Sequence, residues 1–268
     1  MTAASADLSP PVLHTQDERG VHSLVLNRAS TFNALSEEVL AALQTALDTI
    51  AIDRSARAVV VSAQGKAFCA GHNLKDMRAR PELAYYQKLF AQCTRMMLSL
   101  QNLPVPVIAK VQGLATAAGC QLVAQCDLAV AASHASFGVN GIDVGLFCAT
   151  PSVPLVRNIP AKQAMEMLLT GEFITADEAR VRGLVNRVVP VEALDAEVEK
   201  LLEALLSKPR EAVAMGKALF YKQRETSVEA AYQLAGQTMA CNMIHAIAQE
   251  GVQAFIDKRK PQWPVAGS

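Results

Sequence analysis

Short runs that are apolar on both faces alternate with longer stretches of helical period through the first half of the chain. Val21 to Asn27 (VHSLVLN) reads as a strand, and Ala58 to Ser62, Val105 to Val111 and Leu128 to Ala132 have the apolar character of strands buried in a parallel sheet. Ser36 predicts the N-cap of a helix whose positive end is favoured by Glu37 and Glu38, with Val39, Leu40, Leu43, Ala46, Leu47 and Ile50 as its apolar stripe. Glu82 to Leu100 predicts another, with Leu83, Tyr86, Phe90, Cys93, Met97 and Leu100 on one face. Beyond about Pro151 the strand signal fades, apart from Leu184 to Val189, and helical patterns dominate. Thr175 with Glu178, and Thr226 with Glu229, each predict a capping box. The pattern predicts an α/β core over residues 1–205 and a helical region over 206–268, with no legible repeat or low-complexity linker.

Composition narrows the partners. The 268 residues suffice for a sizeable core, and 51% hydrophobic against 19% charged residues describes a folded protein. With 25 basic and 25 acidic residues the formal net charge is zero, so no broad attraction for nucleic acid or an anionic membrane is expected. No uninterrupted apolar run approaches the ~20 residues needed to span a bilayer. The 6 cysteines lack CxxC spacing and are expected to be reduced, mostly buried thiols rather than metal ligands. Met1 to Pro11 contains Asp7 and no basic region followed by an apolar one, so a cytoplasmic protein is expected. There is no GxGxxG after a first strand, no GxxxxGK[ST] and no GxSxG, which removes the usual signatures of nucleotide-dependent and elbow-serine chemistry.

Two segments carry candidate chemistry: Lys66 to Asp76 (KAFCAGHNLKD) and Gln112 to Gln121 (QGLATAAGCQ). Each follows a strand and is rich in Gly and Ala, which allow a ligand to approach the main chain. The second leads into a helix near Gly119, whose free N–H groups favour negative charge. Two convergent N–H donors would stabilise a carbonyl oxygen as it becomes an oxyanion. On composition alone the same residues read equally well as tight packing turns.

The string Phe68-Cys69-Ala70-Gly71-His72-Asn73-Leu74-Lys75 resembles the first oxyanion loop of the crotonase, or enoyl-CoA hydratase/isomerase, superfamily. Gln112-Gly113 through Ala118-Gly119-Cys120-Gln121, followed by Cys126-Asp127, resembles the second. The likeness runs from Leu26-Asn27-Arg28 and Asn33-Ala34-Leu35 to Glu250-Gly251-Val252-Gln253-Ala254-Phe255 and Lys258-Arg259-Lys260-Pro261. It implies a crotonase-like ββα superhelix core with a C-terminal helical extension that takes part in oligomerisation, as a homotrimer or hexamer. It also implies an acyl-CoA substrate, with coenzyme A as part of that substrate and no permanently bound cofactor. The implied oxyanion donors are the main-chain N–H groups of His72 and Ala118. Ser30, Thr31, Ala70, Lys75, Phe255 and Lys258 fall at coenzyme A positions, the last two reaching the adenine end from a neighbouring subunit.

The departures bear on mechanism. Hydratases of this family hold water between two glutamates; the matching positions here are Gln121 and Gly141. Gln121 can hold a water but not take its proton, and Gly141 has no side chain. The imidazole of His72, Asn140 and the carboxylate of Asp143 are further candidates for handling protons or water, and Cys148 reads as a small buried thiol. Restoring glutamate at 121 and 141 together is expected to create hydration, and valine at Gly119 is expected to obstruct the thioester. Within the family, Ala117 to Gln121 with Asp143 to Cys148 looks most like the subgroup of enoyl-CoA hydratase domain-containing proteins of type three. One reading is an enzyme acting through an enolate; the other is a protein that holds acyl-CoA without turning it over.

Overall fold

The computed structural model describes residues 9–263, so most of the Met1 to Pro11 leader expectation lies outside the described residues. The chain forms two compact units, Met1–Leu202 and Glu203–Ser268.

In the first unit β1 (Val12–Gln16) pairs antiparallel with β2 (Val21–Leu26), and α1 (Glu37–Ile52) follows. Ser36 accepts the Val39 N–H at 3.2 Å, and all six stripe residues are buried. Next come β3 (Ala58–Ala63), β4 (Ala67–Cys69), α2 (Leu74–Ala79) and α3 (Leu83–Asn102). The pattern repeats with β5 (Val107–Val111), β6 (Leu114–Thr116) and α4 (Ala118–Gln125). It repeats again with β7 (Leu128–Ala132), β8 (Ser136–Gly138), a 3-10 turn at Asn140–Val144, α5 (Ala149–Asn158) and α6 (Ala161–Thr170). The unit closes with β9 (Ile174–Thr175), α7 (Ala176–Arg182), β10 (Arg187–Val189) and α8 (Leu194–Leu206), the last running just past its boundary.

The first strand of each repeat joins one sheet, ordered β1-β2-β3-β5-β7-β10, and the second joins another, ordered β4-β6-β8-β9. β3, β5 and β7 run parallel, as do β4, β6 and β8. This is the ββα superhelix. Side chains fix the corner between β3 and β4: the Gln112 amide nitrogen donates to the carbonyls of Ala63, Gly65 and Ala67 at 3.0 to 3.1 Å. Asn33 adds donations to Gln64 and Ala67. A Cβ at Gly113 would stand 2.0 Å from the Lys66 carbonyl oxygen, so only glycine fits that crossing. Asp127 accepts the Val107 N–H at 2.7 Å and holds the start of β5. These motif residues therefore build the scaffold.

Two local expectations need correction. On α3 the buried face is Tyr85, Leu89, Cys93, Met96, Met97 and Leu100, while Leu83 is exposed and Tyr86 and Phe90 are only partly buried. The buried face is shifted by one residue at Tyr85 and Leu89, while Cys93, Met97 and Leu100 are buried as expected. The second capping box is absent: Ser227, not Thr226, accepts the Ala230 N–H, and the Thr226 hydroxyl donates back to the Gln223 carbonyl. Thr175 and Glu178 do form a reciprocal box.

In the second unit α9 (Arg210–Gln223), α10 (Val228–Met243) and α11 (Ala246–Ile256) follow in order. The Trp263 indole donates to the Ser207 carbonyl at 3.2 Å and packs beside Gly251.

Candidate functional site

Cys69 lies opposite Ala115 and Thr116 opposite Gly138, so β4, β6 and β8 end at a common level. Their following segments emerge side by side at the carboxyl ends of parallel strands, where α/β folds place ligands. A cavity of about 330 Å³ opens there. Ala70 and His72 line it from the first loop, Ala117 and Ala118 from the second, and Asn140 and Gly141 from the third.

The first two loops are in close contact. Gly71 has φ +86°, and a Cβ on it would stand 2.9 Å from the Ala117 Cβ and 3.1 Å from the Ala118 nitrogen. Likewise a Cβ on Gly119 would stand 2.0 Å from the Cys69 carbonyl oxygen. Valine there would push the first loop away. That is a different cause of damage from the direct obstruction expected, since Gly119 is not on the cavity wall.

Ala117 sits at φ 51°, ψ −121°, a conformation that costs an L-residue about 1–3 kcal/mol. Its N–H donates to the Gly138 carbonyl at 2.9 Å and its carbonyl accepts the Gln121 N–H at 3.0 Å, so both sides of the strained residue are tied. Ala118 is the first residue of α4, where an N–H has no partner within the helix. At His72, the parallel bridge to Leu35 uses the Gly71 carbonyl, which accepts the Leu35 N–H at 2.7 Å. That pattern leaves the His72 N–H uncommitted.

The side chains expected to do proton chemistry are placed otherwise. The His72 ring donates through Nδ1 to the Leu35 carbonyl at 3.2 Å and meets Phe90 edge-on at 5.5 Å. Its Nε2 has no partner and no contact with solvent-sized space, and burial pushes its pKa down against the opposing Leu35 bond. The ring is a neutral packing element. Gln121 is 5% exposed, its Oε1 is sealed and unpartnered, and it does not line the cavity. Asp143 is exposed, lies off the cavity wall and turns its carboxylate towards Gly171, where a Cβ would meet Oδ1 at 2.7 Å. The water-handling roles expected for the His72 ring, Gln121 and Asp143 are therefore not supported by their placement.

Gly141 does line the cavity, but the direction of its missing side chain is filled. A Cβ would stand 2.3 Å from the Leu146 carbonyl oxygen and 2.8 Å from the Cys148 sulfur. Cys148 accepts the Gly141 N–H at 3.3 Å, and burial raises its thiol pKa, which keeps it protonated at neutral pH.

Of the coenzyme A positions, Ala70 is on the cavity wall, and Lys75 is exposed on α2, where Asn73 caps its N–H. Ser30 and Thr31 are exposed in a 3-10 turn, with the Thr31 hydroxyl donating to the Arg28 carbonyl at 3.1 Å. Phe255, 86% exposed, and Lys258 belong to the second unit. Sequence reasoning missed Thr116, whose hydroxyl donates to Asn140 Oδ1 at 2.6 Å. It also missed the apolar wall formed by Leu74, Met77, Phe90, Leu146 and Phe147. A lone threonine closing an apolar strand beside two alanines was the available signal for Thr116.

Comparison with known proteins agrees with this architecture. The profile of the family described as Enoyl-CoA hydratase/isomerase matches residues 16–265. The mouse protein named "Enoyl-CoA hydratase domain-containing protein 3, mitochondrial" is 43% identical over 97% of this chain and 87% of its own length. A crystal structure of an enoyl-CoA hydratase from Mycobacterium smegmatis is 62% identical, with TM-score 0.94, over 95% of this chain and 99% of that one. The human enoyl-CoA hydratase domain-containing protein 3 structure is 43% identical, with TM-score 0.91, over 94% of this chain and all (100%) of that one. Among the described residues no helix is long and apolar enough to cross a membrane.

Proposed function

Because the chain belongs to the enoyl-CoA hydratase/isomerase family, we propose that it binds an acyl-coenzyme A thioester and stabilises its carbonyl oxygen as an oxyanion. The oxygen sits between the main-chain N–H groups of His72 and Ala118. The observation that carries this reading is the seating of Gly71 against the Ala118 nitrogen beside a strained Ala117. A donor of this kind is worth roughly 3–4 kcal/mol to an oxyanion in other enzymes. Coenzyme A enters as part of the substrate, past Ser30, Thr31, Ala70 and Lys75, with Phe255 and Lys258 serving the adenine end from a neighbouring copy.

Hydration by two carboxylates is not the reaction we assign, because Gln121 and Gly141 supply none. The oxyanion donors suit enolate chemistry of an isomerase or lyase type. A second reading, an acyl-CoA-binding protein without turnover, is favoured by the sealed Gln121 oxygen and the filled space beside Gly141. Calorimetric titration with crotonyl-CoA and longer 2-enoyl-CoAs, run beside the loss of conjugated thioester absorbance, separates these. Heat without absorbance loss selects binding without hydration; neither heat nor absorbance loss rejects the whole assignment.

We further propose a homotrimer or hexamer, and a cytoplasmic location on the composition given above, although the mouse relative carries "mitochondrial" in its name. Sedimentation and cell fractionation test these two points.

A further inference from the structure

We infer that Thr116 and Asn140 form a specificity-determining pair that recognises a hydroxyl or similar hydrogen-bonding group on the acyl chain, close to the thioester. This rests on the acyl-CoA reading above and goes beyond it by naming the kind of acyl group preferred.

Both residues line the cavity, and Thr116 is 8% exposed, so its hydroxyl is a buried polar group placed among apolar ones. The register of the small sheet brings the two together. Thr116 ends β6 opposite Gly138, and Asn140 begins the turn two residues later. The 2.6 Å bond from the Thr116 hydroxyl to Asn140 Oδ1 is short for a neutral pair. On its other side, Asn140 Nδ2 faces Asp143 Oδ2 at 3.5 Å. A carboxylate only accepts, so this neighbour is consistent with the amide nitrogen on its side and the oxygen towards Thr116. The amide is thus held from both sides.

An asparagine amide has two N–H donors and two acceptor positions. The two bonds described use one of each and leave one donor and one acceptor. That remainder matches a hydroxyl, which can both donate and accept. It does not match a saturated or simply unsaturated chain, for which Phe90, Leu146, Phe147 and Pro151 supply the wall. Because an amide neither gives up nor takes a proton near neutral pH, the pair's role is recognition rather than acid–base catalysis.

The test compares butyryl-CoA with 3-hydroxybutyryl-CoA by calorimetry on the full chain. Wild-type protein is expected to prefer the hydroxylated ligand by roughly three- to tenfold, the worth of a neutral hydrogen bond. Thr116→Val and Asn140→Leu should bring the ratio towards one, and Thr116→Ser should restore it. A merely structural role for Thr116 would weaken both ligands alike and leave the ratio unchanged. Equal affinity of the wild type for the two ligands overturns the inference even if both variants fail to fold. Failure of wild type to bind either ligand instead refutes the acyl-CoA reading on which it rests.

Discussion

At Ala117 the main chain holds φ 51° although the residue is not glycine, and the following N–H is the second proposed oxyanion donor. Strain kept beside a binding loop must be offset by the surrounding bonds, here those to Gly138 and Gln121. Ala117→Gly should relieve it. After the extra unfolded-state freedom of glycine is subtracted, a gain of about 1 kcal/mol is expected, read as a raised thermal midpoint. Unchanged or lower stability would mean that the strain is not there. Position 141 behaves oppositely. Gly141→Glu places a Cβ where the Leu146 carbonyl already stands, and overpacking of this kind costs about 1–3 kcal/mol. The double variant Gln121→Glu, Gly141→Glu is therefore expected to lose stability and to gain no crotonyl-CoA hydration in an absorbance assay. This reverses the expectation from sequence, because the obstacle is a main-chain carbonyl and not only a missing acid.

Elements show where the sequence could be read and where it could not. The long strands were legible as continuous apolar runs and α1 by its helical period, down to the six buried residues of α1. β4, β6 and β8 are three residues each, too short for any period, and so the threefold strand–strand–helix repeat and the site at their ends had to come from resemblance. The Thr116–Asn140 contact spans 24 residues and depends on that hidden register. The first hairpin carries a further device that no local pattern announced. His14 contacts His22 at 2.9 Å, and His22 contacts Asp53 at 3.0 Å, linking β1 and β2 to the end of α1. Burial and the neighbouring His22 push the His14 pKa below its ordinary 6.5. Such a group costs the fold nothing above 6.5 and destabilises it progressively as pH falls through the depressed value. Buried His72 acts with the same sign. Asp53 is held at about 2, chiefly by bonds from Ser55 and then by His22, so its contribution is present above 3.8 and lost as pH falls towards about 2. All three predict a thermal midpoint that declines on acidification from pH 7, with a shallower decline below about pH 6.5 in His14→Asn. A flat profile, or one unaltered by that substitution, would contradict this.

For the whole molecule, the second unit sets the question of assembly. Among its described residues α9 and α10 contain none that is buried, and Phe220, Tyr232, Met239 and Ile244 stand exposed, Tyr232 at 77%. Isolated apolar residues on a surface are ordinary, but two successive helices without one fully buried residue point to a covering surface. Zero formal net charge puts little long-range repulsion in the way of like copies. A second copy is the occupant that the proposed coenzyme A route requires, since Phe255 and Lys258 are assigned to a neighbour's ligand. Tyr232→Glu and Met239→Glu together should then sediment as a monomer where the wild type sediments as a trimer or hexamer. Acyl-CoA affinity should fall with dissociation, although neither residue is placed at the cavity. Lys258→Glu should weaken binding while leaving the assembly whole. A wild type that is already monomeric would remove the shared site, and a monomeric variant with full affinity would show that each chain serves its own ligand.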